Sequence, residues 1–441
     1  MAEIHPFRGT HYNPVQAGDP ARLICPPYDV ISPQLQQELY DRSDHNFVRV
    51  EYGRELPQDK ETDNRYTRAA AAMERWLDEG VLTTDRKPAL YVDDHRCVSD
   101  GKEYVRRSLT GIVKLEEWEA GVVKPHEGTG SRDKSDRLSL LYALQANTSP
   151  IMGLYEDTSG QIKKAMDYHT LVDPVITADL GRGESHHLWA VTDSTALQKI
   201  CYYLGGQAIY IADGHHRYES ALTYRRERRM RVDSPVGAEP FDYAMITLIE
   251  FSDPGLVILP AHRMVRGLSG ESLEDLKGGL TTFFEVETVP VQAEGTAAQV
   301  ASLLVAPEGT VRMVLFGLEH ETFHVITARD FGTIRPMMPY FHSDIYGKLD
   351  VSIVDHVLLE ELLGLTHDLA ASHVAYTTDV AEVLKCVREK EYQFSVFVNP
   401  VKPGDIKDIA DSGDRMPRKS TYFYPKIPAG LVTYRYPRPA A

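Results

Sequence analysis

Cys201-Tyr202-Tyr203-Leu204-Gly205-Gly206-Gln207-Ala208-Ile209-Tyr210-Ile211-Ala212-Asp213-Gly214-His215-His216-Arg217-Tyr218 passes from an apolar run through a polar bend into a helix-like run. Cys201 to Ala212 reads as a strand, and Ala221, Leu222 and Tyr224 keep helical spacing beyond Tyr218. A strand that breaks at a glycine before a helix start suits an anion. Gly214 lets the backbone approach a ligand, and the first helical turn carries N–H groups without intrahelical partners. Arg217 can grip phosphate oxygens with two N–H groups, and His215 or His216 can add further bonds. Asp213 can share Mg²⁺ with phosphate oxygens or orient a histidine. The structural alternative is that Asp213 caps the helix while the histidines pack at its base.

Upstream, Cys25-Pro26-Pro27-Tyr28-Asp29-Val30 reads as a loop stiffened by adjacent prolines, holding Tyr28 and Asp29 at a surface or cleft. A rigid turn needs no chemistry, so Asp29 is either a base or an ornament of that turn. Arg65 to Leu77 reads as a helix, and strands are expected near Ala89 to Val92 and Ser108 to Leu115. Val123 to Thr129 reads as an irregular connection presenting His126 and Glu127 beside a cleft, before a helix carrying Leu138, Leu141 and Tyr142. Glu127 can take a proton from a substrate hydroxyl and His126 can contact phosphate, or both brace the loop. In Ser185-His186-His187-Leu188-Trp189, adjacent imidazoles on an extended chain face opposite ways, which weakens a metal site built on their adjacency alone.

Downstream, Arg225, Arg226, Arg228 and Arg229 form a solvated helix face or a ligand-neutralising cluster. Met245 to Ile249 reads as a buried strand, Asp253-Pro254-Gly255 as a turn and Leu256 to Pro260 as another strand, after which His262 and Arg263 offer a second anion contact or ordinary polar bonds. The later chain alternates: a helix over Ser272 to Phe284, strands at Val311 to Phe316 and Phe323 to Thr327, a helix capped by Ser352 through Leu362, a helix over Val380 to Arg388 and a strand at Phe394 to Val398. Met416 to Lys426 mixes cations, hydroxyls and aromatics, and is expected to dock on the body, closing a pocket with Arg418, Lys419 and Ser420 or covering a core.

The 441 residues suffice for two or three structural units, expected as 1–120, a phosphate-binding core at 121–265, 266–415 and a docked 416–441. A formal charge of −16, from 48 Lys and Arg against 64 Asp and Glu, disfavours nucleic acid as a partner. The four dispersed cysteines fit a reducing compartment, no apolar run is long enough for a bilayer, and the start lacks the features of a signal peptide, so a cytoplasmic protein is expected. Walker A, H-E-x-x-H and G-x-G-x-x-G motifs are absent from the sequence. A homo-oligomer is compatible with this composition.

Cys25-Pro26-Pro27-Tyr28-Asp29-Val30-Ile31, His126-Glu127, Asp213 to Tyr218, Asp253-Pro254-Gly255-Leu256 and Met416 to Thr421 together resemble, in the same order, the bacterial and archaeal family catalogued as domain-of-unknown-function family 1015. Around D-G-H-H-R that family is similar to free-serine kinases of the ParB/sulfiredoxin-like fold. The resemblance implies an α+β protein with a ParB/sulfiredoxin-like nucleotide-binding core and additional mixed α/β elements. It implies a phosphate role for Gly214, His215, His216 and Arg217, and a Mg²⁺ or substrate-orienting role for Asp213. The implied reaction moves the terminal phosphoryl group of ATP or ADP to L-serine, with Glu127 or Asp29 as the base. A nucleotide-responsive regulatory or binding protein without transfer is the alternative, and Mg²⁺-dependent phosphate hydrolysis a third.

Overall fold

The computed structural model describes residues 1–99, 101–128, 131–231 and 237–437. Thr129 of the expected connection and 438–441 of the expected C-terminal segment lie outside the described residues. The structure is mixed α/β and divides into two compact units, Met1–Pro125 with Thr129–Val257 and Pro425–Ala441, and His126–Gly128 with Ile258–Tyr424.

Among the described residues, the first unit carries a nine-stranded mixed sheet. Its order is Val123–Lys124, Ile209–Asp213, Ile151–Tyr155, Tyr243–Glu250, Lys102–Lys114, Leu90–Ser99, Glu184–Val191 and Ile176–Gly181, with Ile4–His5 branching from Lys102–Lys114. The strand pairs cross the expected boundary between 120 and 121, because Lys102–Lys114 runs antiparallel to Tyr243–Glu250 over seven partner positions. The consecutive division at that point therefore gives way to one shared sheet. Leu90, Val92, Leu109, Val113, Ile246 and Leu248 are buried at its centre.

Helices on this unit follow their sequence signals closely. Arg65–Asp78 starts at Asn64, whose side chain accepts from Tyr66 and Thr67 N–H groups while Thr67 returns a bond to the Asn64 backbone. Its buried Ala69, Ala72, Met73 and Trp76 form one apolar stripe. Ser131–Leu144 packs between that helix and His215–Arg229. The strand expected from Cys201 is shorter: Cys201 belongs to the helix Ser194–Gly205, capped by Asp193, and the strand begins at Ile209 after Gly205-Gly206. Apolar residues on a buried helix face mimic a strand when the glycine break is overlooked. Arg225 and Arg226 pair with Glu117, and Arg229 with Asp242, so this cationic helix end is tied to carboxylates.

Gly255 explains the Asp253-Pro254-Gly255 turn. A Cβ there would lie 2.5 Å from the Arg106 Cα and backbone nitrogen, which only glycine avoids. Asp253 Oδ1 accepts from the Gly255 N–H at 2.8 Å, closing the turn.

The second unit holds a six-stranded sheet in the order Phe284–Pro290, Thr322–Ala328, Arg312–Phe316, Phe394–Phe397, His262–Val265 and Val374–Thr377. Val314, Phe316, Phe323 and Phe397 pack with Val383 and Leu384 of the helix Val380–Arg388. Ser352 does not cap a helix: it is buried inside Asp350–Ile353, which continues as the wider π-helix Val354–Glu361. No helix among the described residues is long and apolar enough to cross a membrane.

A buried polar knot anchors the first unit. Glu51, fully buried, accepts from Thr148 Oγ1 at 2.5 Å and Ser149 Oγ at 2.9 Å, and pairs with Arg137 at 3.2 Å. The Arg137 guanidinium also lies 4.0 Å from the centroid of the Tyr28 ring. Removing one partner of a buried pair strands the other, so Glu51→Ala is expected to destabilise this unit by about 3–5 kcal/mol. Trp76, Trp118 and Trp189 all belong to the first unit, so urea unfolding followed by tryptophan fluorescence measures it.

Candidate functional site

The sheet's second strand ends at Asp213, and Gly214 turns the chain with φ +88° into the helix His215–Arg229. The helix thus starts three residues before Tyr218, directly behind the glycine. A side chain at 214 would be strained, and its Cβ would meet Arg217 Nε at 2.9 Å and Cζ at 3.0 Å. The guanidinium of Arg217 folds back over the bend. Its Nη2 donates to Asp213 Oδ2 at 2.8 Å, and its Nη1 donates to the Pro150 carbonyl. His215 is buried at the base of the helix, and His216 is half-buried.

A residue with no assigned role in the sequence completes the bend. Lys426 Nζ donates to Asp213 Oδ1 at 2.8 Å and lies 3.8 Å from Asp29 Oδ2. One ammonium, its side chain 11% exposed, therefore serves two carboxylates. Burial pushes the Asp213 carboxyl up, but the charges of Lys426 and Arg217 outweigh it and hold the group well below the usual carboxylate range. Asp213 is accordingly a fixed anion between two cations.

This arrangement does not fit the metal role expected of Asp213. Each carboxylate oxygen is engaged by a cation, and a dication there would face both positive groups at contact distance. Lys426 supplies the neutralising charge instead.

Asp29 reaches this place from the short turn Tyr28–Val30 that follows Pro26-Pro27. Tyr28, on the Arg137 guanidinium, fixes the turn from one side. Asp29 keeps 30% of its side chain exposed and so presents an oxygen to solvent beside the ammonium. Arg217 and Arg137 also line a small cavity with Thr148 and Ser149, whose volume of about 40 Å³ suits a water or two.

The other expected residues belong to the second unit. Glu127 Oε1 accepts from the Thr421 N–H at 3.0 Å and Oγ1 at 2.9 Å, and from the Ser420 N–H at 3.2 Å. His126, buried, lies with Nε2 2.9 Å from Thr421 Oγ1, while its carbonyl accepts from the Met416 N–H. Both brace the segment Met416 to Thr421. Arg418 and Lys419 line a cavity of about 650 Å³ with Gly128, Tyr346, Tyr376 and Arg415. The anion contact expected of His262 and Arg263 is not offered: both are buried, with Arg263 Nη1 donating to Ala261 O and Nη2 3.7 Å from Asp355. Burial, with Arg263 beside it, pushes the His262 imidazole down to about 4.

No curated protein sequence matches this chain. It is similar in structure to a conserved hypothetical protein from Pyrococcus furiosus, at 13% identity and a TM-score of 0.34, with 70% of this chain and 91% of that one covered. It is similar to a free serine kinase in complex with AMP at 9% identity and a TM-score of 0.37, covering 71% of this chain and 88% of that one. A C-terminally truncated SbnI from Staphylococcus aureus shows 10% identity and a TM-score of 0.35, with 74% and 87% covered. The family described as "Protein of unknown function (DUF1015)" matches residues 4–352, which takes in Asp29, Glu127 and the whole bend at Asp213 and leaves Met416 to Thr421 beyond its end. On that match over most of its length, the chain belongs to the family described as Protein of unknown function (DUF1015).

Proposed function

We propose that this protein is a nucleotide-dependent phosphotransferase acting on a small hydroxyl compound, with free L-serine as the acceptor and O-phospho-L-serine as the product. The observation that carries the reading is the single ammonium of Lys426 between Asp29 and Asp213 at the start of a helix. Phosphoryl transfer needs a carboxylate at the attacking hydroxyl and fixed positive charge around the phosphoryl oxygens, and this cluster has both. A ParB/sulfiredoxin-like core over 121–265 belongs to the same proposal, as implied by the resemblance around D-G-H-H-R.

In this reading the serine hydroxyl oxygen attacks the terminal phosphorus of ATP or ADP. A new O–P bond forms, the bond from phosphorus to the bridging oxygen breaks, and the nucleotide leaves one phosphate shorter. Asp29 takes the hydroxyl proton, a role better suited to its exposed oxygen than to Glu127, whose Oε1 accepts three bonds from Ser420 and Thr421. Lys426 and the N–H groups following Gly214 meet the developing negative charge. Arg217 joins them when phosphate oxygens replace Pro150 O or Asp213 as its acceptors. Asp213 orients Lys426, and no step passes through a metal held by it.

A second reading is favoured by the cavity of about 650 Å³ in the second unit, which has the volume of a small-molecule pocket and three cations in its wall, Arg415, Arg418 and Lys419. There the protein binds nucleotide and responds to it without transfer.

Incubation of the purified protein with Mg²⁺, L-serine and either ATP or ADP is expected to yield phosphoserine, measured by mass spectrometry. Nucleotide binding without serine-dependent product overturns the kinase, and phosphate release without an acceptor indicates hydrolysis instead. Asp29→Asn is expected to lower the turnover by about 10²–10⁴-fold while nucleotide affinity is retained. Lys426→Met is expected to weaken nucleotide binding about tenfold or more by calorimetry, the size of a lost charged hydrogen bond. Weakening by Arg418→Ala with none from Lys426→Met selects the second reading.

A further inference from the structure

Three neighbouring strands of the first unit gather polar side chains on one face of the sheet. His186 of Glu184–Val191 is the register partner of His95 of Leu90–Ser99, which is in turn the partner of Arg106 of Lys102–Lys114. Side chains two apart on a strand share a face, which adds Glu184 and Asp93 to the group. His95 and His186 are each 1% exposed, with ring centroids 3.8 Å apart. One donor atom from each of His95, Glu184 and His186 lies within 4.8 Å of the others.

The hydrogen bonds point to what the group lacks. Asp93 Oδ2 lies 2.9 Å from His186 Nδ1, so that nitrogen carries a proton, and in the neutral ring Nε2 presents a lone pair. His186 Nε2 is buried and has no hydrogen-bond partner. A buried acceptor left unpaired is costly, and natural interiors rarely keep one without a use. A carboxylate holding one imidazole nitrogen while the other stands open is the outer arrangement of a metal-binding histidine.

We infer that His95, Glu184 and His186 form a binding site for a first-row transition-metal dication of the zinc class. Two imidazole nitrogens and one carboxylate oxygen are its ligand types, and three protein ligands leave a position for water. Glu184, with 38% of its side chain exposed, is the route of entry. Asp93 and Glu184 together outweigh the charge of Arg106, which bonds to His95. Arg106 Nη2 lies 3.1 Å from His95 Nδ1, and His95 Nε2 lies 3.1 Å from Glu184 Oε1. Metal on His95 Nε2 moves that proton to Nδ1, so both bonds are given up on loading, while Arg106 stays held by the Pro425 carbonyl at 2.6 Å. Arg106→Gln supplies an acceptor for Nδ1–H and is expected to tighten the site.

Chelator-treated full-length protein is titrated with Co²⁺, followed by visible absorption, and with Zn²⁺, followed by calorimetry and by the melting temperature. One equivalent is expected to bind, with a Co²⁺ spectrum of imidazole and carboxylate ligation and a raised melting temperature. His186→Ala abolishes the spectrum, and Asp93→Asn weakens affinity by about 10–100-fold. Glu184→Gln, at a partly exposed position, keeps the fold and decides the matter should His186→Ala not fold: the Co²⁺ spectrum changes and affinity falls. Absence of saturable binding by the wild type, or binding unchanged in Glu184→Gln, overturns the assignment.

Discussion

Two carboxylates share one ammonium at the start of a helix, and much of the first unit is arranged around that constraint. Asp29 and Asp213 repel each other unless a cation stands between them, and Lys426 is that cation. Three remote segments must meet for this: the proline-stiffened loop, the end of the strand Ile209–Asp213, and the chain just after Pro425. The glycine at 214 is favoured at the same point, since its φ of +88° would strain any side chain.

Behind the loop, the charges of Glu51 and Arg137 do a related job deeper in the unit. Arg137 stacks on Tyr28, the neighbour of Asp29, and Glu51 holds Arg137 with help from two hydroxyls. The position of the exposed carboxylate thus depends on an ion pair that solvent does not reach. Such pairs contribute more to fixing one geometry than to net stability, because desolvation offsets much of their attraction.

The sequence made the bend legible because its signals are local: an aspartate, a glycine and a change of hydrophobic period within a few residues. The helices Arg65–Asp78 and Val380–Arg388 are legible from their helix-forming and apolar residues, and the structure adds a capping side chain before each, Asn64 and Asp379. Cys201 reads as strand because apolar spacing near a helix end resembles one, and Ser352 reads as a cap although it is buried in the helical turn that precedes the widened helix. Lys426 ends the segment expected to dock on the body, but no spacing rule joins it to Asp213. The facing of His186 and His187 to opposite sides follows from an extended chain, but the partner His95 is set by strand register, which pairing alone decides. His262 and Arg263 lay at a strand end in sequence and inside a core in space.

The first unit is interrupted: the chain leaves it after Val257 and re-enters at Pro425. On the ribosome, the bend at Asp213 emerges long before its ammonium is made. Through the synthesis of everything from Ile258 to Tyr424, Asp213 has Arg217 as a counter-ion without Lys426, and the edge formed by Ala146–Asn147 waits for Tyr434–Arg435. A nascent chain therefore cannot close this unit until Lys426 and Tyr434–Arg435 have been made, and a chain that stops before them keeps a bend that is electrically incomplete.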